Sequence, residues 1–392
     1  MPRTPRAPVN PPTLRSAREE AAVDPEDAAG KLRIPQERLL KWEHGTEQPT
    51  LRQLKTLATL YSRPPAYFFA SSPTRREHPE PTDFRAHETA EEHPATIRRH
   101  ILRALERRES FFELLPSDPT PLALAFPALD DPLQHPQAVR SALAVSEERQ
   151  HRAPDAYASL RLWIDAIERF QVLVFQSSDL GAPNIRGLSI FFERVPIIYL
   201  RGSDAPAGRV FTVLHELGHL LARSSGLCDP YDPADQRLEQ RCNAFAADIL
   251  MPEGNFRAAV NTALYGRSKI DATEALARQF GVSIEAAAVR MVALNIAEQE
   301  LIDTARQRTR EYLQQRTERT GFAPYPRKRL RDLGRLYVGT VLEAVEEQQI
   351  GLTEALQHLD VKVSTYERMK QQLGPSSETE PTVSPSADPG VG

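Results

Sequence analysis

The 392-residue sequence contains only two cysteines, Cys228 and Cys242, and no long uninterrupted apolar run. Two cysteines cannot build a disulfide framework, and their spacing is not that of a Cys-x-x-Cys zinc knuckle. We expect Cys242 to be a small core residue and not a metal ligand. The longest apolar stretch, 187–200, is interrupted by two charged residues and a proline and is too short to cross a bilayer.

The sequence also lacks a secretory leader and a strong charge of either sign. Residues 1–14 are rich in proline and arginine and have no apolar core of the kind a signal peptide needs. The net charge of −4 argues against polyanion binding over the whole surface, although a local basic helix can still bind DNA. We therefore expect a cytoplasmic protein of two or three domains with no membrane segment.

The most informative motif is His215-Glu216-Leu217-Gly218-His219, within an apolar run that predicts a buried helix. Two histidines four residues apart fall on one helical face, close enough to hold one metal ion. A glutamate directly after the first histidine can act as general base toward a metal-bound water. The motif therefore predicts His215 and His219 as metal ligands and Glu216 as the base.

A second helix is predicted over 237–251, ending at Pro252. Its Glu239 would complete a set of three protein ligands, which leaves a tetrahedral zinc one open position. Asn243, one turn later, is expected to hydrogen-bond a ligand. Zinc is the default metal for a His₂Glu site, with manganese or iron as alternatives. The alternative reading is that the histidines are core residues and Glu239 a surface carboxylate.

This region resembles the ImmA/IrrE family of metallopeptidases. The resemblance is carried by Phe211, Thr212, the motif 215–219, residues 226–229, Glu239, residues 243–246 and residues 250–252. It implies a zincin-like metallopeptidase domain over 151–300, with His215, His219 and Glu239 as metal ligands and Glu216 as base. A helical C-terminal region over 301–373 would follow.

Residues 14–72 contain a series of short helical patterns. Helices are predicted over 25–32, 36–43 and 50–61, the first with Asp24 as its cap and Pro25 at its first position. Short helices joined by a three-residue turn are typical of a helix-turn-helix.

These residues resemble the XRE-type helix-turn-helix of phage repressors. The matching residues are Ala17, Arg18, Ala28, Ala29, Leu32, Ile34, Leu39, Trp42, Glu43, Gly45 and Pro49. Two positions depart from the pattern. Arg33 occupies the turn, where the family usually has glycine for a left-handed backbone, and Pro35 replaces the usual serine or threonine cap.

The resemblance implies binding of double-stranded DNA by the helix predicted over 36–43. Its outward polar residues are Gln36, Arg38, Lys41 and His44. We expect Gln36 and Lys41 to read base edges in the major groove, with Arg38 and His44 near phosphate. For each of the four, a solvated helix face without a DNA contact is the alternative.

The rest of the chain completes the predicted organisation. Residues 1–13 are expected to be a disordered arm, 73–150 a proline-rich linker and helical connector, and 374–392 a disordered tail. Strands are predicted over 172–175, 188–192 and 196–200, and their edge could pair with a substrate backbone. Segments 275–287 and 352–366 imitate helix-turn-helix patterns but are expected to be packing hairpins. The predicted fold class is mainly α with a small β-sheet (α+β), with an all-α N-terminal domain.

Two functions are consistent with these features. The leading hypothesis is a DNA-binding transcriptional regulator with a zinc-dependent endopeptidase domain. ImmA/IrrE relatives cleave partner repressors that carry XRE-type domains, which derepresses phage, mobile-element or stress-response genes. The alternative is a non-proteolytic XRE-type antitoxin and repressor whose protein partner is a toxin. A homodimer is left open in both.

Overall fold

The computed structural model of the chain describes residues 5–21, 23–61, 63, 65–71, 95–122, 130–178, 180, 185–224, 226–227, 236–317 and 324–374. The tail predicted over 374–392 lies outside the described residues except for Gly374. So do residues 72–94 and 123–129 of the predicted linker, and residues 228–229 of the ImmA/IrrE pattern.

The N-terminal helices form one small core. They are α1 (Pro11–Glu20), α2 (Pro25–Leu32), α3 (Gln36–Glu43) and α4 (Leu51–Leu60), followed by a 3₁₀ turn at Pro65–Phe69. The bounds of α2 and α3 are those predicted from the sequence. Leu39 and Trp42 of α3 are fully buried among the other helices. The buried Glu43 accepts hydrogen bonds from Arg18 at 2.7 and 3.1 Å, which ties α3 to α1.

The turn between α2 and α3 keeps the left-handed backbone although no glycine is present. Arg33 has φ 54° and ψ 47°, and Pro35 caps α3 in an extended conformation without a side-chain hydrogen bond. A non-glycine residue in this region costs about 1–2 kcal/mol. The turn between α2 and α3 therefore forms despite the two departures noted in the sequence, at some cost in stability.

The arm predicted to be disordered over 1–13 is partly ordered. Residues 1–4 lie outside the described range, but Ala7 and Val9 are buried in the N-terminal core and α1 already begins at Pro11. The amide of Ala7 donates to the carbonyl of Pro49 at 2.8 Å, and that of Val9 to Oε1 of Gln48 at 3.0 Å. The prediction was wrong for these residues. The side chains of Ala7 and Val9 and their two backbone amides gain these contacts only when the domain is folded, and composition alone does not show this.

A small mixed sheet lies at the centre of the remaining chain. Its strands are β1 (Leu173–Ser177), β2 (Gly187–Ile190), β3 (Ile197–Arg201) and the two-residue β4 (Gly226–Leu227), in the order β1-β3-β2-β4. β3 runs parallel to β1 and antiparallel to β2, and β2 pairs with β4. Side chains alternate between the two faces of the sheet, as the strand geometry requires, and both faces are buried.

Helices cover both faces of this sheet. On one face lie α6 (Pro136–Ala142), α7 (Glu147–His151), α8 (Ala156–Glu168), α9 (Pro206–Leu221), α10 (Gln236–Leu250), α11 (Glu253–Ala263), α12 (Lys269–Phe280), α13 (Ile284–Ala293) and α14 (Glu300–Thr317). On the other face lie α5 (Ala95–Leu114), α15 (Tyr325–Leu333), α16 (Arg335–Glu346), α17 (Leu352–Leu359) and α18 (Val363–Leu373). The fold class is therefore mainly α with a small β-sheet, as predicted.

The C-terminal helices share a core with the sheet. Tyr337, Val338 and Val341 of α16 are buried in the same cluster as Phe175 of β1 and Tyr199 of β3. The region predicted over 301–373 is thus divided, with α14 on one side of the sheet and α15–α18 on the other. Within the described residues, no helix is long and apolar enough to cross a membrane.

Candidate metal centre

Helix α9 carries the histidine motif through the centre of the molecule. It starts at Pro206, in the first-turn position where proline is tolerated, and packs between the sheet, α8 and α10. His215, Glu216 and His219 are 6%, 0% and 3% exposed. Burial places polar side chains where they need partners, so the contacts of these three residues define the site.

Glu239, in the first turn of α10, lies between the two histidines. Its Oε2 is 3.2 Å from Nε2 of His215 and its Oε1 is 3.0 Å from Nε2 of His219, while the two Nε2 atoms are 3.1 Å apart. The three potential ligand atoms lie within 4.8 Å of one another. Residues from two separate helices thus converge on one point.

Close packing of α9 on α10 depends on the glycine inside the motif. A Cβ placed on Gly218 would lie 3.2 Å from Sγ of Cys242 and 3.2 Å from Cδ1 of Phe245. A larger residue would push the helices apart and move Glu239 away from the histidines. Cys242 is fully buried in the core beside His219, and burial raises the pKa of its thiol. It is a packing residue, as the sequence predicted.

Ser224, just after α9, orients the second histidine. Its Oγ lies 3.1 Å from Nδ1 of His219 and 3.3 Å from the backbone carbonyl of the same residue. A hydroxyl that donates to this carbonyl accepts a hydrogen bond from the Nδ1–H group. Nε2 of His219, on the side of Glu239, is then the ring atom that would bind a metal ion.

The electrostatics of the cluster favour a cation between the three side chains. Burial would raise the pKa of Glu239, but hydrogen bonds from His215 and His219 outweigh it and lower that pKa to about 2. Burial would lower the pKa of His219, whereas hydrogen bonds with Cys242 and Glu239 and the charge of Glu216 raise it to about 11. The site is therefore built to hold positive charge, either a proton or a divalent metal ion.

Glu216 faces the sheet from the same helix. A Cβ placed on Gly187, the first residue of β2, would lie 2.5 Å from Oε1 of Glu216 and 2.7 Å from Cγ2 of Thr212. The missing side chain of Gly187 thus makes the space that the Glu216 carboxylate occupies. Sequence reasoning did not identify Gly187, Gly218 or Ser224 as contributors, because their roles depend on contacts between elements.

Asn243 does not take the position that the sequence predicted for it. Its side chain is exposed, and within the described part of the chain it makes no hydrogen bond to His215, His219 or Glu239. Instead, Ser224 contacts one of the three proposed ligands, His219. A residue four positions after Glu239 shares its helical face, but the Asn243 side chain is exposed to solvent.

The four predicted DNA-contacting residues lie on the outer side of α3. Gln36, Lys41 and His44 are exposed and Arg38 is half-buried. Glu47 pairs with Arg38 at 3.2 Å and with Lys41 at 3.6 Å. The ring of His44 contacts the carbonyl of Leu40 through Nδ1 at 2.7 Å. Of the three cations or potential cations in this set, Arg38 and Lys41 are thus partly neutralised by one carboxylate.

The donor set of the cluster fits a catalytic zinc site. Two imidazole nitrogens and a carboxylate are a known ligand combination for zinc, and three ligands leave a position open for water or substrate. The described residues include no other group of three such side chains close enough to hold one ion. The Asp248 carboxylate on the same helix is paired with Arg290 instead.

Comparison with protein families agrees with this site. Residues 167–292 match the family model of peptidase family M78, described as the IrrE N-terminal-like domain. The matched segment contains His215, Glu216, His219 and Glu239, and it supports a relationship to the ImmA/IrrE metallopeptidases for this part of the chain. The match does not include the N-terminal helices. No curated protein and no solved structure matches the chain.

Proposed function

We propose that this chain is a zinc-dependent endopeptidase and DNA-binding regulator that cleaves a partner repressor protein. The observation that carries the proposal is the convergence of His215, His219 and Glu239 with Glu216 next in sequence to the first ligand. This cluster lies inside the segment that matches a peptidase family. Cleavage of an XRE-type repressor would derepress phage, mobile-element or stress-response genes.

The catalytic roles follow from the chemistry of the side chains. Held by His215, His219 and Glu239, a zinc ion would polarise the scissile carbonyl and acidify a water molecule. The Glu216 carboxylate takes the proton from the attacking water and passes it to the leaving amine nitrogen. Ser224 keeps His219 in the tautomer that binds metal. Manganese or iron could occupy the same ligands.

DNA binding is assigned to the helix-turn-helix formed by α2 and α3. The left-handed turn at Arg33 and the buried Leu39 and Trp42 support the assignment, because they orient α3 as a recognition helix. In the proposal Gln36 and Lys41 read bases, and Arg38 and His44 contact phosphate.

Helix α5 connects the proposed DNA-binding unit to the proposed peptidase. Leu102 packs against the N-terminal core, whereas Ile101 and Leu105 are buried against the sheet. Arg103 also donates to the backbone carbonyl of Thr59 at 3.1 Å. A peptidase attached in this way to an operator-binding module would have a high local concentration near a DNA-bound repressor.

One observation favours the second candidate, a non-proteolytic XRE-type antitoxin and repressor that binds a toxin. Glu216 is completely buried and both histidines are less than a tenth exposed. A peptide substrate must reach these groups, so proteolysis requires an opening of the site. A regulator that uses the metal only for stability requires none.

The test is incubation of the protein with a candidate XRE-type repressor, taken from a neighbouring gene where one is present. Zinc-loaded wild type should cleave it, and Glu216→Gln should not, because a neutral amide cannot accept the proton; loss of a general base costs about 10²–10⁴-fold in rate. Both proteins should retain zinc and DNA affinity, and Glu253→Gln, an exposed carboxylate, serves as the matched control. Equal regulation of the target genes by Glu216→Gln and wild type would instead establish the antitoxin function.

A further inference from the structure

A basic cavity lies at the start of the motif helix, apart from the metal ligands. It has a volume of about 580 Å³ and is lined by residues of α8, the first turn of α9, α15, the start of α16, β1 and α18. Six cationic side chains line it: Arg161, Arg209, Arg327, Lys328, Arg331 and Arg335. Asp165 is the one carboxylate among its described lining residues.

Arg209 is the most unusual of these side chains. It is 2% exposed, and its Nη1 donates to Oε1 of Gln176 on β1. Within the described residues it forms no ion pair, and its buried Nε has no hydrogen-bond partner. Burial, followed by repulsion from Arg331, lowers the pKa of Arg209 to about 10. Asp204 and Asp332 act on Arg209 only from a distance. A buried guanidinium without a carboxylate in contact is costly unless something else compensates it.

The other five cations of the cavity also have few carboxylates in contact with them. Arg331 pairs with Asp332 at 2.5 Å, and Arg335 is 3.7 Å from Asp165. In the described part of the chain, the remaining three have no carboxylate within 4 Å; these are Arg161, Arg327 and Lys328. Like charges gathered in a concave site raise the local potential, and an anion relieves that repulsion.

The shape of the cavity limits what this anion can be. Its volume is within the range of small-molecule sites, roughly 300–1,000 Å³. Leu160, Ile164 and Leu330 supply apolar wall, and the half-exposed ring of Tyr157 is available for stacking. A duplex DNA backbone could touch the exposed Arg327 and Lys328 but could not reach the buried Arg209. A guanidinium fork suits a phosphate group.

We propose that this cavity binds a phosphate-bearing small molecule of nucleotide size, with Arg209 as the buried phosphate ligand and Arg327 and Lys328 at the rim. Arg209 precedes Glu216 by seven residues, which is two turns and about 10 Å along one face of α9. The ligand would therefore bind at the start of the helix that carries the metal-binding motif. This binding does not require proteolysis, so its test is independent of the proposed peptidase activity.

The experiment titrates the full-length protein with AMP, ATP, inorganic phosphate and adenosine in a calorimeter. We expect one molecule of AMP or ATP per chain, at least tenfold weaker binding of adenosine, and a higher Tm in the presence of the nucleotides because only the folded state binds them. The double variant Arg327→Ala/Lys328→Ala should lose at least tenfold in nucleotide affinity. Because it changes only exposed residues, it should fold normally.

Two further variants test whether binding depends on the cavity itself or only on the positive charge of the protein surface. Arg209→Lys keeps the charge but removes the fork, and should also lose at least tenfold in affinity. The double variant Lys269→Ala/Arg278→Ala removes two cations of α12 that do not line the cavity, and should bind like wild type. The proposal is overturned if none of the phosphate probes binds at millimolar concentration. It is also overturned if binding survives in the cavity variants, or if these lose only affinity for duplex DNA.

Discussion

Gly187 on β2 and Glu216 on α9 are in direct contact, and a Cβ on Gly187 would come within 2.5 Å of Oε1 of Glu216. The strand and the motif helix can approach this closely only because residue 187 has no side chain. The proposed base is therefore positioned by a glycine 29 residues earlier in the sequence, on a different element. A substitution at Gly187 should therefore move the proposed base without affecting metal binding, and an experiment can test this.

The substitution Gly187→Ala should inactivate the proposed peptidase without removing its metal. The new methyl group displaces the Glu216 carboxylate, and a displacement of about 1 Å can cost 10²-fold in rate. Cleavage rate and metal content measured on the same preparation test this. Gly208→Ala on α9, where a Cβ meets nothing within 4 Å, is the matched control. A Gly187→Ala variant that cleaves at the wild-type rate would show that Gly187 does not position Glu216 for catalysis.

Glu239→Ala should abolish stoichiometric metal binding. Two histidines alone leave a divalent ion with too few protein ligands for a catalytic zinc site. Metal content measured by mass spectrometry should fall from near one ion per chain to near zero. Asp248→Asn on the same helix should retain the metal, since Asp248 is paired with Arg290. The reverse result would assign the third ligand to Asp248.

Ser224→Ala should weaken metal binding without abolishing it. Loss of the Oγ contact to Nδ1 of His219 removes the group that fixes its tautomer, and such losses typically cost 10–100-fold in metal affinity. Competition with a zinc chelator measures the change. Ser203→Ala, an exposed serine before α9, should not alter it. An unchanged affinity in Ser224→Ala would show that the fold alone orients His219.

Opposite effects on DNA binding are expected from Lys41→Ala and Glu47→Gln. Lys41→Ala should weaken binding to a specific site by about 1–3 kcal/mol if it reads a base. Glu47→Gln should strengthen binding several-fold, because it releases Arg38 and Lys41 from a carboxylate. Binding curves at several salt concentrations measure both, with Glu298→Gln as an exposed control. If Lys41→Ala weakens binding to random DNA by the same amount, Lys41 contacts phosphate and not a base.

The stability of the fold should decrease as the pH rises through the neutral range, because of Glu168. This side chain is 5% exposed and accepts a hydrogen bond from the amide of Leu336 at 3.2 Å. Burial, and secondarily the charge of Asp165, raise its pKa from 4.5 to about 8. Between these two values the unfolded chain has released the proton that the folded chain still holds. The free energy of unfolding therefore falls with pH across this window and levels off above it.

Glu168→Gln should remove this pH dependence. Since glutamine does not ionise, the variant should exceed wild type in stability at pH 8 by on the order of a few kcal/mol and approach it at pH 5. Urea unfolding at pH 5, 6.5 and 8 measures the difference, with Glu311→Gln, an exposed glutamate, as control. Parallel pH profiles of wild type and Glu168→Gln would show that Glu168 is ionised in the folded protein.

Local patterns in the sequence predicted α2, α3 and the motif helix because each depends on contacts a few residues apart. The bounds 25–32 and 36–43, and the common face of His215 and His219, follow from caps and from the 3.6-residue period. The two-residue strand β4 was not predicted, since a strand so short carries no periodic signal. The ordered residues 5–13 were missed because proline-rich composition was read as disorder.

The sequence by itself determined the chemistry available to this protein: two histidines, a glutamate proposed as the base and a second carboxylate, on helices with a buried apolar face. Only the tertiary structure decided which atoms meet. Glu239 meets the histidines whereas Asp248 pairs with Arg290, and the contact to Nδ1 of His219 comes from Ser224 instead of Asn243. The cationic cavity likewise joins Arg209 to residues more than 100 positions later. Helical spacing constrains neighbours within a turn or two, but it carries no information on which distant surfaces will be brought together by burial of the sheet.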